Sequence, residues 1–351
     1  MAEDLLFDQQ GQLGLITLNR ADSLNALTLP MIISLQKKLS LWKEDKSIKA
    51  VVIRSVPGKA FCAGGDVRSL YNGRNEESEQ MQFFWNEYRL NHFIHNFGKP
   101  YISLMNGITM GGGVGISLHG SHPVASEHFV FAMPETSIGF FPDIGASYLL
   151  TRCPGFLGIY LGLTGNRLGA QDALRADLVK YIVSADQMND LVDALIHEPL
   201  TENAFSRVDH CIKTVSMPFN PSESSHIDPL IDLCFSGNTV EAIKNKLESF
   251  GNTWAMEVYK ILAQKSPLSL KITLAQLQKA KDLSLADCLK MDYDLVRHFM
   301  RDSDFYEGVR SLLIDKDKNP KWNPERLDLV SDSMVVNYFE HFSPGLDLSL
   351  E

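Results

Sequence analysis

Two carboxylates eight residues apart, Glu135 and Asp143, stand in a segment from Phe129 to Leu150 that contains no lysine or arginine. A carboxyl group in apolar surroundings holds its proton more tightly, and two that approach each other separate their pKa values. One site can thereby hold an acid and a base near neutral pH. Upstream lies the glycine tract Met110-Gly-Gly-Gly-Val-Gly115. It follows a strand-like run and leads into an apolar helix. Glycines let a substrate come close to the backbone, and a helix start presents unpaired N–H groups with a positive end. Acyl transfer or acyl activation is the chemistry these residues suit.

A second glycine turn, Gly58-Lys-Ala-Phe-Cys-Ala-Gly-Gly-Asp66, also follows a strand-like run. Alone, the first tract reads equally well as tight packing, and the second reads better as a plain loop with Asp66 as a helix cap. Together they can aim two N–H groups at one carbonyl oxygen. Loss of one such donor typically costs about 3 kcal/mol of transition-state stabilisation. Other chemistries lose support. The chain has no G-x-x-x-x-G-K-[ST], no G-x-S-x-G and no H-E-x-x-H, and Leu118 stands where a dinucleotide fingerprint needs its third glycine. No histidine or cysteine is assigned to a metal. Cys62 has no base near it in sequence and reads as a small buried thiol.

These residues need a scaffold. Leu13–Leu18, Ala50–Ser55 and Tyr101–Met105 read as buried strands, with shorter pieces at His122–Ala125 and Phe129–Ala132. A helix is expected over Pro30–Trp42, and recurring strand–helix–strand order predicts an α/β arrangement. Beyond Tyr181, Met188–His197, Thr239–Phe250, Trp254–Lys265, Ser269–Ala280, Ser284–Met300 and Phe305–Ile314 read as helices. The expected division is an α/β core over residues 1–205 and a helical region over 206–351.

The net charge of -10 in 351 residues disfavours an extended basic face for nucleic acid or anionic lipid. No apolar run is long enough to span a bilayer. Five scattered cysteines form no C-x-x-C pair and suit a reducing compartment. The acidic start Met1-Ala-Glu-Asp resembles no targeting segment, and the end Leu348-Ser-Leu-Glu351 is no peroxisomal address. A cytoplasmic protein is the expectation.

The segments Ser55-x-x-Gly-Lys-Ala-Phe-Cys-Ala-Gly-Gly-Asp66, Asn106-Gly-Ile-Thr-Met-Gly-Gly-Gly113 and Met133-Pro-Glu-Thr-Ser-Ile-Gly-Phe-Phe-Pro-Asp143 together resemble the crotonase (enoyl-CoA hydratase/isomerase) superfamily. The resemblance continues through Leu161-x-Leu-Thr-Gly165, Ser266–Thr273 and Asp315–Pro324, nearly the whole chain. It implies a crotonase-like spiral of β-β-α units with a C-terminal helical region covering the site. It also implies an acyl-CoA substrate whose thioester oxygen is held by the amides of Gly65 and Gly112. Gly64, Asp66 and Gly111 would border the CoA arm, and Arg20, in the loop Asn19–Ala26, would meet a phosphate. Trimers and hexamers are common in the superfamily, so a homo-oligomer is one expectation.

Hydratases of the superfamily carry one catalytic Glu four residues after the first glycine of the triplet; here that position is Gly115. Glu135 matches their second Glu, and Asp143 falls where they usually have a small residue. The pattern resembles most the 3-hydroxyisobutyryl-CoA hydrolases, which act in valine breakdown, and Glu87 matches a substrate-pocket Glu of that group. The resemblance implies hydrolysis of a 3-hydroxyacyl-CoA thioester by Glu135, as nucleophile or as general base. Asp143 would serve the substrate hydroxyl and proton transfer. No metal or separate cofactor is expected, because CoA arrives as part of the substrate. The rivals are an enoyl-CoA hydratase/isomerase and a non-catalytic binding protein of the same fold.

Overall fold

Strand β2 (Leu13–Leu18) is apolar on both faces, as burial between two layers requires, and it anchors a six-stranded sheet. The computed structural model describes residues 3–223, 228–340 and 348–350; Met1, Ala2 and Glu351 lie outside them. β1 (Leu5–Gln10) pairs antiparallel with β2, and β3 (Ala50–Ser55), β5 (Tyr101–Met105), β7 (His122–Ala125) and β10 (Tyr181–Ile182) continue the sheet in parallel. A second sheet has the order β4 (Ala60–Cys62), β6 (Ile108–Met110), β8 (Val130–Ala132), β9 (Leu168–Gly169).

The chain forms two compact units, each made of three segments. One comprises residues 1–65, 89–131 and 168–224; the other comprises 66–88, 132–167 and 225–351. The first holds both sheets; its core gathers Leu13, Leu15, Val52, Ile102 and Val124 with Leu191 and Leu195 of the helix Met188–His197. The helix Leu29–Glu44 starts at Thr28, whose hydroxyl accepts from the Met31 N–H, with Pro30 in the first turn.

The second unit is mainly helical. Pro267–Ala280 begins at Ser266, which caps the Ser269 N–H, and Leu285–Phe299 begins at Ser284, which caps that of Asp287. Phe140 and Phe141 pack against Phe299, and Phe140 also meets Phe84 and Phe305. The expected strands and helices are present to within a few residues. The sequence passed over β1, β4, β6, β9 and β10, and helices that include Leu157–Thr164, Ala204–Val215 and Asp228–Phe235. The three-residue strands carry too little periodicity to register. Among the described residues, no helix is long and apolar enough to cross a membrane.

Candidate active site

β4 and β6 lie side by side and parallel, Ala60 opposite Ile108 and Cys62 opposite Thr109, so the two glycine turns leave from the same end of the sheet. Their contact is close. A Cβ on Gly64 would sit 3.3 Å from the Met110 carbonyl oxygen and 3.7 Å from the Gly112 nitrogen. Gly64 has φ +113°, and Gly111 has φ +47° with ψ -125°, conformations that glycine adopts without penalty. Gly112 opens the short helix Gly112–Gly115, so its N–H lies beyond the reach of helical pairing.

The loop Asn19–Ala26 is bonded to the first of these turns. Leu27 N–H donates to the Gly64 carbonyl at 2.8 Å, Ala63 N–H to that of Leu24 at 3.0 Å, and Asn25 Nδ2 to that of Ala60 at 2.9 Å. Arg20 is placed by this loop, its Nη1 donating to the Ala26 carbonyl at 3.0 Å. Asp66 caps the helix Val67–Asn72 by accepting from Ser69 N–H. Cys62 is a buried thiol 3.8 Å from the Gly64 carbonyl oxygen.

Gly113 and Gly115 are both pressed by neighbours. A Cβ on Gly113 would fall 2.2 Å from the Cys62 carbonyl oxygen. Gly113→Ala is therefore expected to lower stability by about 3 kcal/mol, the upper range of overpacking. Gly169→Ala, with nothing within 4 Å of the added methyl, serves as the near-neutral control in thermal melts. A Cβ on Gly115 would lie 2.7 Å from Asn91 Nδ2, so the buried Asn91 amide fills the space that a side chain at 115 would need. Neither polar end of that amide has a partner.

In the second unit, Glu135 opens a 3-10 turn, Glu135–Ile138, which ends at Gly139 with φ +67°. Gly139 and Gly308 allow this turn to press on the helix Asp304–Val309. Added Cβ atoms would come within 2.2 Å of the Asp304 carbonyl oxygen and 2.3 Å of the Ile138 carbonyl carbon. Glu135, Asp143 and Glu87 are all buried. Glu87 is thus no solvated face residue; it projects inward from the helix Glu77–His95, one residue before Tyr88.

Burial pushes the Glu135 carboxyl well above the usual carboxylate range, and Asp143 adds to this while Lys265 opposes it. Burial likewise raises Glu87, with Asp143 and then Glu135 contributing. Asp143 is pushed up to about 7 by burial, against a 2.7 Å hydrogen bond from the Tyr88 hydroxyl. Glu135 Oε2 and Glu87 Oε1 have no hydrogen-bond partner. The three carboxyls therefore share few negative charges near neutral pH, which suits proton exchange with a ligand.

Lys265, far away in sequence, is the cation the apolar segment lacks. Its Nζ donates to Ser137 Oγ, and burial lowers it to about 8. Tyr88, Asn91 and Lys265 were not singled out in the sequence as site residues. The spacing of Glu87 and Asn91, four apart on one helix, was the only signal for Asn91. Among the described residues, no group of three or more His, Cys, Asp or Glu could hold a metal ion.

The model of the enoyl-CoA hydratase/isomerase family matches residues 13–339. The mitochondrial 3-hydroxyisobutyryl-CoA hydrolase of Xenopus tropicalis is 44% identical, over 96% of this chain and 88% of its own. The human protein of the same name is 42% identical, over 97% and 89%. A carnitinyl-CoA dehydratase structure from Mycobacterium thermoresistibile superposes with TM-score 0.91 at 34% identity, covering 100% of this chain and 99% of that one. An enoyl-CoA hydratase structure from Rhodobacter sphaeroides gives 0.88 at 34%, covering 97% and 98%.

These relatives correct one expectation. The curated proteins are named as mitochondrial, which overturns the cytoplasmic assignment. A targeting segment is an address outside the folded domain, so cysteine usage and charge within the domain carry no trace of it.

Proposed function

Because the chain belongs to the enoyl-CoA hydratase/isomerase family, we propose that it hydrolyses 3-hydroxyisobutyryl-CoA to 3-hydroxyisobutyrate and CoA. Curated relatives above 40% identity over nearly the full length bear that name. The observation that carries the choice of hydrolysis over hydration is Gly115. The side chain a hydratase places there is missing, and the buried Asn91 amide stands in its space. The buried Glu135–Asp143 pair is kept.

In this mechanism the Gly65 and Gly112 N–H groups hold the thioester oxygen as it becomes an oxyanion. Glu135, once ionised, attacks the thioester carbonyl to give a mixed anhydride that water then cleaves, or takes a proton from water attacking the thioester directly. Its raised proton affinity makes it the stronger base. Asp143 binds the substrate hydroxyl and passes a proton to the departing thiolate, and Glu87 completes the polar wall. Gly64, Gly111, Asp66 and Arg20 serve the CoA arm, whose binding energy positions the acyl group.

Thiol release from 3-hydroxyisobutyryl-CoA and from crotonyl-CoA, followed in parallel with a disulfide reporter, tests the proposal. Rapid release from the hydroxyacyl thioester alone, unaffected by EDTA, is expected. The solved structures titled hydratase and dehydratase motivate the alternative. Falling crotonyl absorbance without thiol release would establish it instead.

A further inference from the structure

Asp143 is held from both sides by two residues far away in sequence. Asp292, on the helix Leu285–Phe299, accepts from the Gly145 N–H at 2.8 Å through Oδ2. Its Oδ1 accepts from Gln276 Nε2 at 2.7 Å, and the same Nε2 donates to the Pro142 carbonyl at 2.9 Å. Both side chains are fully buried. The tethered atoms, the Pro142 carbonyl and the Gly145 N–H, therefore bracket the backbone that carries Asp143. Between them Ile144 has φ +59°, an uncommon conformation for a β-branched residue that external bonds must maintain. Tyr88 fixes the carboxylate from a third direction.

The chemistry at position 292 is selective. Two N–H donors, from Gly145 and Gln276, converge on one side chain, and only a group with two acceptors satisfies both. Asparagine would turn one donor toward another. Apolar packing alone would not call for a carboxylate, because burying one without a cation is costly. Burial pushes the Asp292 carboxyl well above the usual carboxylate range, opposed by the Gly145 and Gln276 bonds and reinforced by Asp143.

We propose that Asp292 and Gln276 are positioning residues for the hydrolysis, clamping the Pro142–Gly145 turn so that Asp143 meets the acyl group in one orientation. The inference rests on the thioester hydrolysis proposed above. The groups facing Asp143 are Tyr88 and Glu87 from one helix, Glu135 from its own loop and Asp292 from another helix. Burial is what raises Asp143, so a turn released from Asp292 and Gln276 admits water to that carboxyl and relieves the cause. The Asp143 titration should then move to lower pH.

The test compares wild type, Asp292→Asn and Gln276→Ala by thiol release from 3-hydroxyisobutyryl-CoA, with the Asp143 carboxyl followed by carbon-13 NMR. For Asp292→Asn, kcat is expected to fall at least about tenfold while KM changes less than about twofold, because the CoA-arm residues are untouched. Its Asp143 titration should move to lower pH. Gln276→Ala is expected to lower kcat similarly, and it supplies the kinetic test if Asp292→Asn does not fold. Unchanged kcat and an unmoved titration would overturn the proposal. So would a kcat loss that merely tracks the folded fraction in thermal melts. An inactive wild type would defeat the proposed hydrolysis, whereas a moved titration would still establish the clamp.

Discussion

Glu135→Gln is expected to abolish turnover while leaving CoA affinity unchanged. Loss of a general base typically costs about 10^2–10^4-fold in rate, and a nucleophile at least as much. Glutamine preserves the volume of the buried side chain and cannot ionise. Burial penalises the charged form of Glu135, so the variant should melt at the same temperature as wild type or higher. Single-turnover thiol release measures the chemistry, and calorimetric titration with CoA measures the binding. Near-normal turnover would remove Glu135 from the mechanism. In the wild type, the acidic limb of kcat/KM should lie above the ordinary carboxylate range, because Glu135 acts only when ionised.

Asp143→Asn should lower kcat about 10^2-fold or more, since the amide can still accept from Tyr88 but can neither give nor take the proton. The same substitution changes how stability depends on pH. In the folded protein Asp143 titrates near 7, against 3.8 for an unperturbed carboxyl. Between these values the native state binds more protons than the unfolded state, so the contribution of this group falls as pH rises. Relative to the Asn variant, wild type is most stable near pH 4, loses stability through neutrality and levels off above it. The full span is on the order of 4 kcal/mol at 1.36 kcal/mol per pKa unit. Denaturant melts of both proteins at pH 4 and pH 8 measure most of it. A difference that is flat with pH would mean that Asp143 is solvated and titrates normally.

Much of the scaffold was legible because local pattern dictates it. Leu13–Leu18 and Ala50–Ser55 are largely apolar, as strands covered on both faces must be, and Pro30 and Ser284 mark helix starts by their own chemistry. The glycine turns, Glu135 and Asp143 stood out because their residue types are unusual in such apolar surroundings. The split near residue 205 was an extrapolation from a change in composition. Observed contacts group the chain into two units of three segments each, and compositional change along the chain cannot report which distant segments pack together.

Sequence alone thus singled out the groups proposed to carry the chemistry, the Glu135 and Asp143 side chains and the Gly65 and Gly112 amides, by type, spacing and resemblance. The tertiary structure decided their state. That Glu87 is buried, that Lys265 acts on Glu135, and that Tyr88 holds Asp143 depend on residues brought together from distant parts of the chain. Gly115 shows the same division in one residue. Its missing carboxylate was legible, but the Asn91 amide in the vacated space was not. Proton affinity and steric room are set by what surrounds a group in three dimensions. Neighbours in sequence supply only part of that surrounding.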